Sequence, residues 1–300
     1  MRVRVRVPAS SANLGPGFDA LALALALHNE VMLEESDRLS LTVSGEGEGR
    51  LHAGADNVVA RGVLLAYAAA GRPFQGAAIH CVNRIPFGRG LGSSAAAWVA
   101  GLVGGNALLG DPLDRDALVT LAARAEGHPD NVAAAILGGL TISCASDDRI
   151  VALALPVPPD LHWVVLVPKL EGSTHEARAV LPAAVSRGDA VFNVQRVSML
   201  LAALFTDRRE LLELAMQDRL HQPYRFPLFP WMAEVSAAAR RAGALGCVLS
   251  GAGSALLAAV RGPAAPVERA MEGALRAAGI DGTAASLAVD TAGATWESLG

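Results

Sequence analysis

The sequence predicts an α+β fold in two parts, on three observations. The 300 residues amount to about two ordinary domains. Strand-like and helix-like segments are mixed along the chain without a regular βαβ repeat. A polar turn followed by Pro156, Pro158 and Pro159 interrupts the pattern over 147–159, which divides the chain into 1–155 and 156–300. With 52% hydrophobic and 18% charged residues and a mean hydropathy of +0.36, the chain can bury a large core and is not disordered.

Arginine and valine alternate over 2–7, the period of a strand that ends at Pro8. Leu21–Leu27 alternates leucine with alanine and fits a strand as well as a helix. A further strand lies near Arg38–Val43, and Gly45–Gly49 is a flexible turn. Asn57–Ala70 has helical character, with Asp56 as cap and Gly71 as stop. Ala77–Val82 reads as a strand entering the loop Asn83–Gly92. Ser93–Leu109 follows as a long buried helix and Asp116–Arg124 as another. Beyond the proline-rich break, Leu161–Val167 is β-rich and helices occupy roughly 175–217 and 231–242. Gly246–Leu249 is a short strand, Ala255–Val260 an apolar run, Val267–Ala278 a helix and Ala284–Val289 a closing strand.

Composition excludes several functions. Lys169 is the single lysine among 25 basic residues, so a Walker A loop and the protein-kinase signatures are absent. The remaining 24 are arginines, whose planar fork suits carboxylate and phosphate. A net charge of −4 opposes a nucleic-acid partner. Cys81, Cys144 and Cys247 are far apart and form no C-x-x-C, so buried free thiols in a reducing cytoplasm are expected. The alternating start of the chain lacks the apolar region of a signal peptide. Leu91–Gly110 has no formal charge and the length of a membrane span, but its five glycines and its polar residues favour a core helix. No membrane partner is expected.

Three loops do not fit a plain core. In Pro8-Ala-Ser-Ser-Ala-Asn-Leu-Gly-Pro-Gly-Phe-Asp19, a strand feeds a loop holding Asn13 and Asp19. An ordinary turn would look the same, but the pair also suits a polar metabolite with an ammonium group. In Ile85-Pro86-Phe87-Gly88-Arg89-Gly90-Leu91-Gly92-Ser93-Ser94-Ala95, glycines lead directly into a helix N-terminus, where backbone N–H groups and the helix dipole converge on an anion. Its spacing is not the dinucleotide fingerprint. The third loop, Leu249-Ser-Gly-Ala-Gly-Ser254, is again strand, glycine turn and apolar run. Between the last two lies Glu126-Gly-His-Pro-Asp-Asn131. A Glu126 carboxylate near the Ser94 hydroxyl would make an oxygen-rich Mg2+ site.

Taken together, these motifs resemble the GHMP kinases, a family of small-molecule ATP kinases, over the whole chain. The resemblance rests on Asn-Leu-Gly-Pro-Gly-Phe-Asp at 13–19, Gly-Leu-Gly-Ser-Ser-Ala-Ala at 90–96 and His-Pro-Asp-Asn-Val-Ala at 128–133. Ser-Thr-x-Glu-Ala-Arg at 173–178 and His-Gln-Pro-Tyr-Arg at 221–225 add to it. It implies an ATP-binding part over 1–155 like ribosomal protein S5 domain 2, and a ferredoxin-like part over 156–300. It also implies transfer of the ATP γ-phosphoryl to the side-chain hydroxyl of L-homoserine in the cytoplasm, by a homodimer. By match to the family, ATP lies over 85–95 with Asn57 near the adenosine, and Ser94 and Glu126 belong at Mg2+. Asn13, Asp19, His128, Asn131, Thr174, Arg178 and Arg225 belong at the amino-acid end, with His128, Asn131 and Arg225 nearest the chemistry. Asp19 would pair the substrate ammonium, and Arg178 and Arg225 its carboxylate. Two features depart from the family. Ser254 replaces a proline, which is expected to loosen the third loop, and Asn131 stands where some members carry a catalytic aspartate. The second departure, with no lysine before 169, tells against a mevalonate substrate. Another acceptor (mevalonate, shikimate or a sugar) and a non-catalytic metabolite sensor on the same fold are the competing readings.

Overall fold

The computed structural model describes residues 1–52 and 54–300. The first sheet begins with β1 (Arg2–Ala12) and β2 (Leu21–Glu35), an antiparallel pair. In β1 the valines at 3, 5 and 7 are fully buried while the arginines between them face outward. The strand does not end at Pro8. Its register shifts between Pro8 and Ala9, which accommodates a residue lacking an N–H, and pairing resumes through Ala12. The leucine–alanine stretch is a strand because both faces are buried. Leu21, Leu23 and Leu25 enter the main core, while Ala22 and Ala24 meet Ala12 and Ala134 on the other side.

The rest of this sheet comprises β3 (Ser40–Gly45), β4 (Ala77–Asn83), β5 (Leu140–Ser146), β6 (Arg149–Leu155) and β11 (Thr295–Ser298). The order is β11-β1-β2-β4-β3, with β5 added to the first residues of β2 and β6 to β5. Helices α1 (Val58–Ala69), α2 (Ser93–Leu108), α3 (Arg115–Glu126) and α4 (Asp130–Leu137) accompany it. Asn57, not Asp56, caps α1, its side chain accepting from the Val59 N–H. Asp147 and Asp148 form the turn between β5 and β6, so the stretch linking the two sheets begins only after Leu155.

The second sheet is antiparallel in the order β10 (Gly282–Leu287), β7 (Leu161–Pro168), β9 (Leu256–Arg261), β8 (Ala244–Leu249). In β7, Val164 and Leu166 join one cluster with α9 (Met232–Arg241) and α10 (Ala265–Ala277). Trp163 and Val165 join the other, which continues into the first sheet. Burial on both faces explains why β7 reads as an unbroken apolar run. Between β7 and β8 the chain also forms α5 (Thr174–Ala179), α6 (Arg187–Phe205) and the short α7 (Leu212–Ala215) and α8 (Gln222–Arg225). α2 is sixteen residues long and largely buried. Among the described residues no helix is long and apolar enough to cross a membrane.

Candidate active site

The three unusual loops and the start of α4 converge on one cleft of about 360 Å³. Gly88, Gly90 and Gly92 all adopt positive φ, and α2 starts immediately after Gly92 with no side chain capping it. Its first N–H groups therefore open toward the cleft without a protein side-chain partner. A side chain at Gly90 would lie 2.2 Å from the Ser250 carbonyl oxygen and one at Gly92 2.1 Å from Ser10 Oγ, so only glycine permits this turn. The third loop supports it from behind, with Ser250 Oγ donating to the Gly90 carbonyl at 2.7 Å. Ser254 does not loosen that loop. Its buried hydroxyl donates to the Leu170 carbonyl.

At the other end of the cleft, Arg178 grips Asp19 through two hydrogen bonds of 2.7 and 3.1 Å. Asn13, Leu14 and Asp19 are held at positive φ, a conformation that costs energy in residues other than glycine. Asn13 stabilises it. Its Oδ1 accepts from the Asp19 N–H, and its Nδ2 donates to the Gly251 carbonyl. Arg225 is 2% exposed. Burial, and next Arg178 nearby, bring its pKa down to about 10, which leaves it charged near neutrality. The Phe18 ring stands 5.6 Å from the Arg225 guanidinium and 5.7 Å from that of Arg178.

Glu126, His128, Asp130 and Asn131 border the middle of the cleft. Ser94 Oγ donates to Glu126 Oε2 at 2.8 Å. Burial raises the Glu126 pKa and the Ser94 hydrogen bond only partly offsets this. His128 is itself penalised by burial, yet its hydrogen bond to Asp130 and the charges of Asp130 and Glu126 lift its pKa above the ordinary value. Asn131 Oδ1 accepts from Ser10 Oγ at 2.8 Å, and its amide nitrogen donates one N–H to Asp130 Oδ1 at 3.5 Å, which leaves the second N–H for a ligand.

Most of the residues singled out in the sequence line this cleft: Asn13, Asp19, Phe87 to Ser94, Glu126, His128, Asn131, Thr174, Arg178 and Arg225. Ile85 and Ala95 are fully buried core residues, and Pro86 borders neither this cleft nor its neighbour. Asn57 lies instead on an adjoining pocket of about 170 Å³ that shares Phe87, Ser93 and Ser94 with the cleft and is walled by Val43, Val59, Cys81 and Ala97. There its amide is occupied with capping α1 and donating to the His52 carbonyl. Sequence reasoning gave no role to Ser10, Phe18, Asp130 and His221, although each lies inside a motif singled out above. Membership of those motifs was their only signal. Among the described residues, no group of three His, Cys, Asp or Glu side chains is arranged to hold a metal alone.

Comparison with known proteins identifies the family and the fold. Residues 57–139 match the family model for the GHMP kinases N terminal domain, and 200–277 that for GHMP kinases C terminal. The chain is 49% identical over 284 residues to the homoserine kinase of Moorella thermoacetica, covering 95% of this chain and 96% of that one. It is 45% identical over 260 residues to the homoserine kinase of Carboxydothermus hydrogenoformans, covering 86% and 85%. The crystal structure of homoserine kinase from Cytophaga hutchinsonii superposes with a TM-score of 0.90 at 32% identity, covering 99% and 97%.

Proposed function

This chain belongs to the GHMP kinases, and from that premise we propose that its activity is the ATP-dependent phosphorylation of L-homoserine. It transfers the γ-phosphoryl of ATP to the side-chain hydroxyl, giving O-phospho-L-homoserine and ADP on the route to threonine. The observation that carries the assignment of roles is a single cleft with an uncapped helix N-terminus at one end and two arginines with a carboxylate at the other. One end suits phosphates and the other a zwitterion.

The apolar pocket beside Phe87 receives the base, and Asn57 shapes that pocket instead of contacting the ligand through its amide. The N–H groups of the 88–94 turn hold the phosphates. At the opposite end the substrate ammonium replaces Arg178 on Asp19, while the substrate carboxylate takes Arg178 and Arg225. Thr174, at the start of α5, closes that end. Phosphoryl transfer has a loose transition state, so alignment and charge stabilisation carry most of the rate. The Asn131 amide nitrogen aligns the hydroxyl, and as an amide it takes no proton. His128, made more cationic by Asp130 and Glu126, stabilises negative charge better than it serves as a base.

The donor set fits Mg2+. Glu126 is a buried carboxylate whose nearest basic group, His128 Nε2, is 3.8 Å away, and Ser94 supplies a second hard oxygen beside it. These two residues would hold the ion, with phosphate oxygens and water completing its shell. Bound there, it would neutralise the charge of the phosphates. The same reading includes a homodimer acting in the cytoplasm, with no nucleic-acid partner, in keeping with the net charge of −4.

A coupled ATPase assay with homoserine, mevalonate and shikimate, with and without Mg2+, tests the reading. Turnover is expected with homoserine alone and only with Mg2+. Arg225→Ala should raise the homoserine KM at least tenfold, on the order of the loss of a charged hydrogen bond, and leave the ATP KM nearly unchanged. Faster use of mevalonate, or equal effects on both KM values, would overturn it.

A further inference from the structure

His221 is a titratable group at the site that the reaction does not use. It is fully buried, and both ring nitrogens are engaged. Nε2 lies 2.7 Å from the carbonyl oxygen of Gly15, which can only accept, so this nitrogen carries the proton. Nδ1 is then the bare nitrogen, and Arg225 Nη1 donates to it at 3.1 Å. The ring stacks on Phe18, with centroids 5.2 Å apart and an interplanar angle of 22°. Phe18 and Gly15 belong to the same loop as Asp19.

Resting on the function proposed above, we propose that His221 is a positioning residue for homoserine recognition: as the neutral Nε2–H tautomer it locks Arg225 to the Gly15–Asp19 loop, so that the ammonium site and the carboxylate site keep a fixed separation. The other bonds of Arg225 explain why this contact matters. Its Nε donates to the Ala177 carbonyl and its Nη1 also donates to the Gly251 carbonyl, both of which are backbone oxygens of the C-terminal part. Gly251 in turn accepts from Asn13 Nδ2. His221 is the side chain that hydrogen-bonds both the guanidinium and the loop bearing Asp19, whose Phe18 ring also packs against that guanidinium. Three protein hydrogen bonds fall on Nε and Nη1, and among the described residues none of the Arg225 bonds uses Nη2, which is left for a ligand carboxylate. Protonation of Nδ1 would set two donors against each other. Burial, with Arg225 adding to it and Asp218 opposing, favours the neutral ring.

The test separates the two nitrogens. In His221→Asn the amide oxygen replaces Nδ1 as the acceptor for Arg225. In His221→Gln the amide nitrogen replaces Nε2, keeping the tether to Gly15 but offering Arg225 no acceptor at that position. His221→Gln is expected to raise the homoserine KM about tenfold with the ATP KM unchanged, and His221→Asn to stay within about threefold of the native value. A residue that merely supports the fold would give two equivalent variants, and equal homoserine KM values for the two overturn the proposal. Should either variant fail to fold, 15N NMR of imidazole-labelled native protein decides. A protonated Nε2 and a bare Nδ1 at pH 7 are expected, and the opposite tautomer or an imidazolium overturns it. Failure of the functional reading looks different, because native protein would then not phosphorylate homoserine at all.

Discussion

At the scale of the residue, the site is organised by amides and hydroxyls that spend one end on the protein and present the other. Asn131 is the clearest case. Ser10 Oγ occupies its oxygen, which fixes the amide so that the nitrogen is available in the cleft. Ser10→Ala removes that restraint and lets the amide turn. The kcat for homoserine should drop about tenfold with little change in either KM, since alignment and not binding is lost. Steady-state kinetics check this, and an unchanged kcat would refute it. His221 yields a second prediction, on stability. Its folded pKa lies below the ordinary value of 6.5 because burial disfavours the charged ring, with Asp218, Arg225 and Asp19 facing it. The unfolded chain therefore binds more protons below about that pH, and stability should be fully present above it and fall as the solution is acidified. Urea midpoints measured from pH 7.5 down to 5 should fall less for His221→Asn than for the native chain.

At the scale of the element, the turn before α2 shows how local geometry becomes function. Positive φ at Gly88, Gly90 and Gly92 aims the uncapped end of α2 at the cleft, and nothing larger than glycine fits at 92. Gly92→Ala should raise the ATP KM at least tenfold and cost on the order of 1–3 kcal/mol of stability, from the unfavourable φ and the clash with Ser10. Isothermal titration with ATP and thermal denaturation would measure the two effects, and native ATP affinity would refute the role of the turn. This motif was legible in the sequence because glycine spacing and the following apolar helix are local features. The capping of α1 was misread for a related reason. Asp56 and Asn57 are both good caps, and only the backbone shows that it is Asn57 whose oxygen meets the Val59 N–H.

At the scale of the molecule, two sheets share one core. The main hydrophobic cluster runs from Val3 and Leu33 of the first sheet to Trp163, Val165 and Leu257 of the second, and β11 returns from the C-terminus to pair with β1. Cooperative unfolding follows from that continuity. Urea transitions followed by tryptophan fluorescence and by far-ultraviolet circular dichroism should coincide, and separate midpoints would show that the halves unfold independently. β11 had no signal to read, since all four of its residues are exposed and carry no apolar alternation. β6 was missed because its turn, Asp147–Asp148, merged with the proline-rich stretch that follows it.

The linear order of residues determined by itself the chemistry available to this protein: glycine turns entering an apolar helix, arginines in place of lysine, and the Glu126–Asn131 cluster. These depend on residue type and short spacing, which folding does not alter. Only the tertiary structure decided which groups meet. Ser10 and Asn131 are 121 positions apart, Asp19 and Arg178 159, and Gly15 and His221 206. Such pairings are set by how strands align and helices pack, and no local periodicity records them.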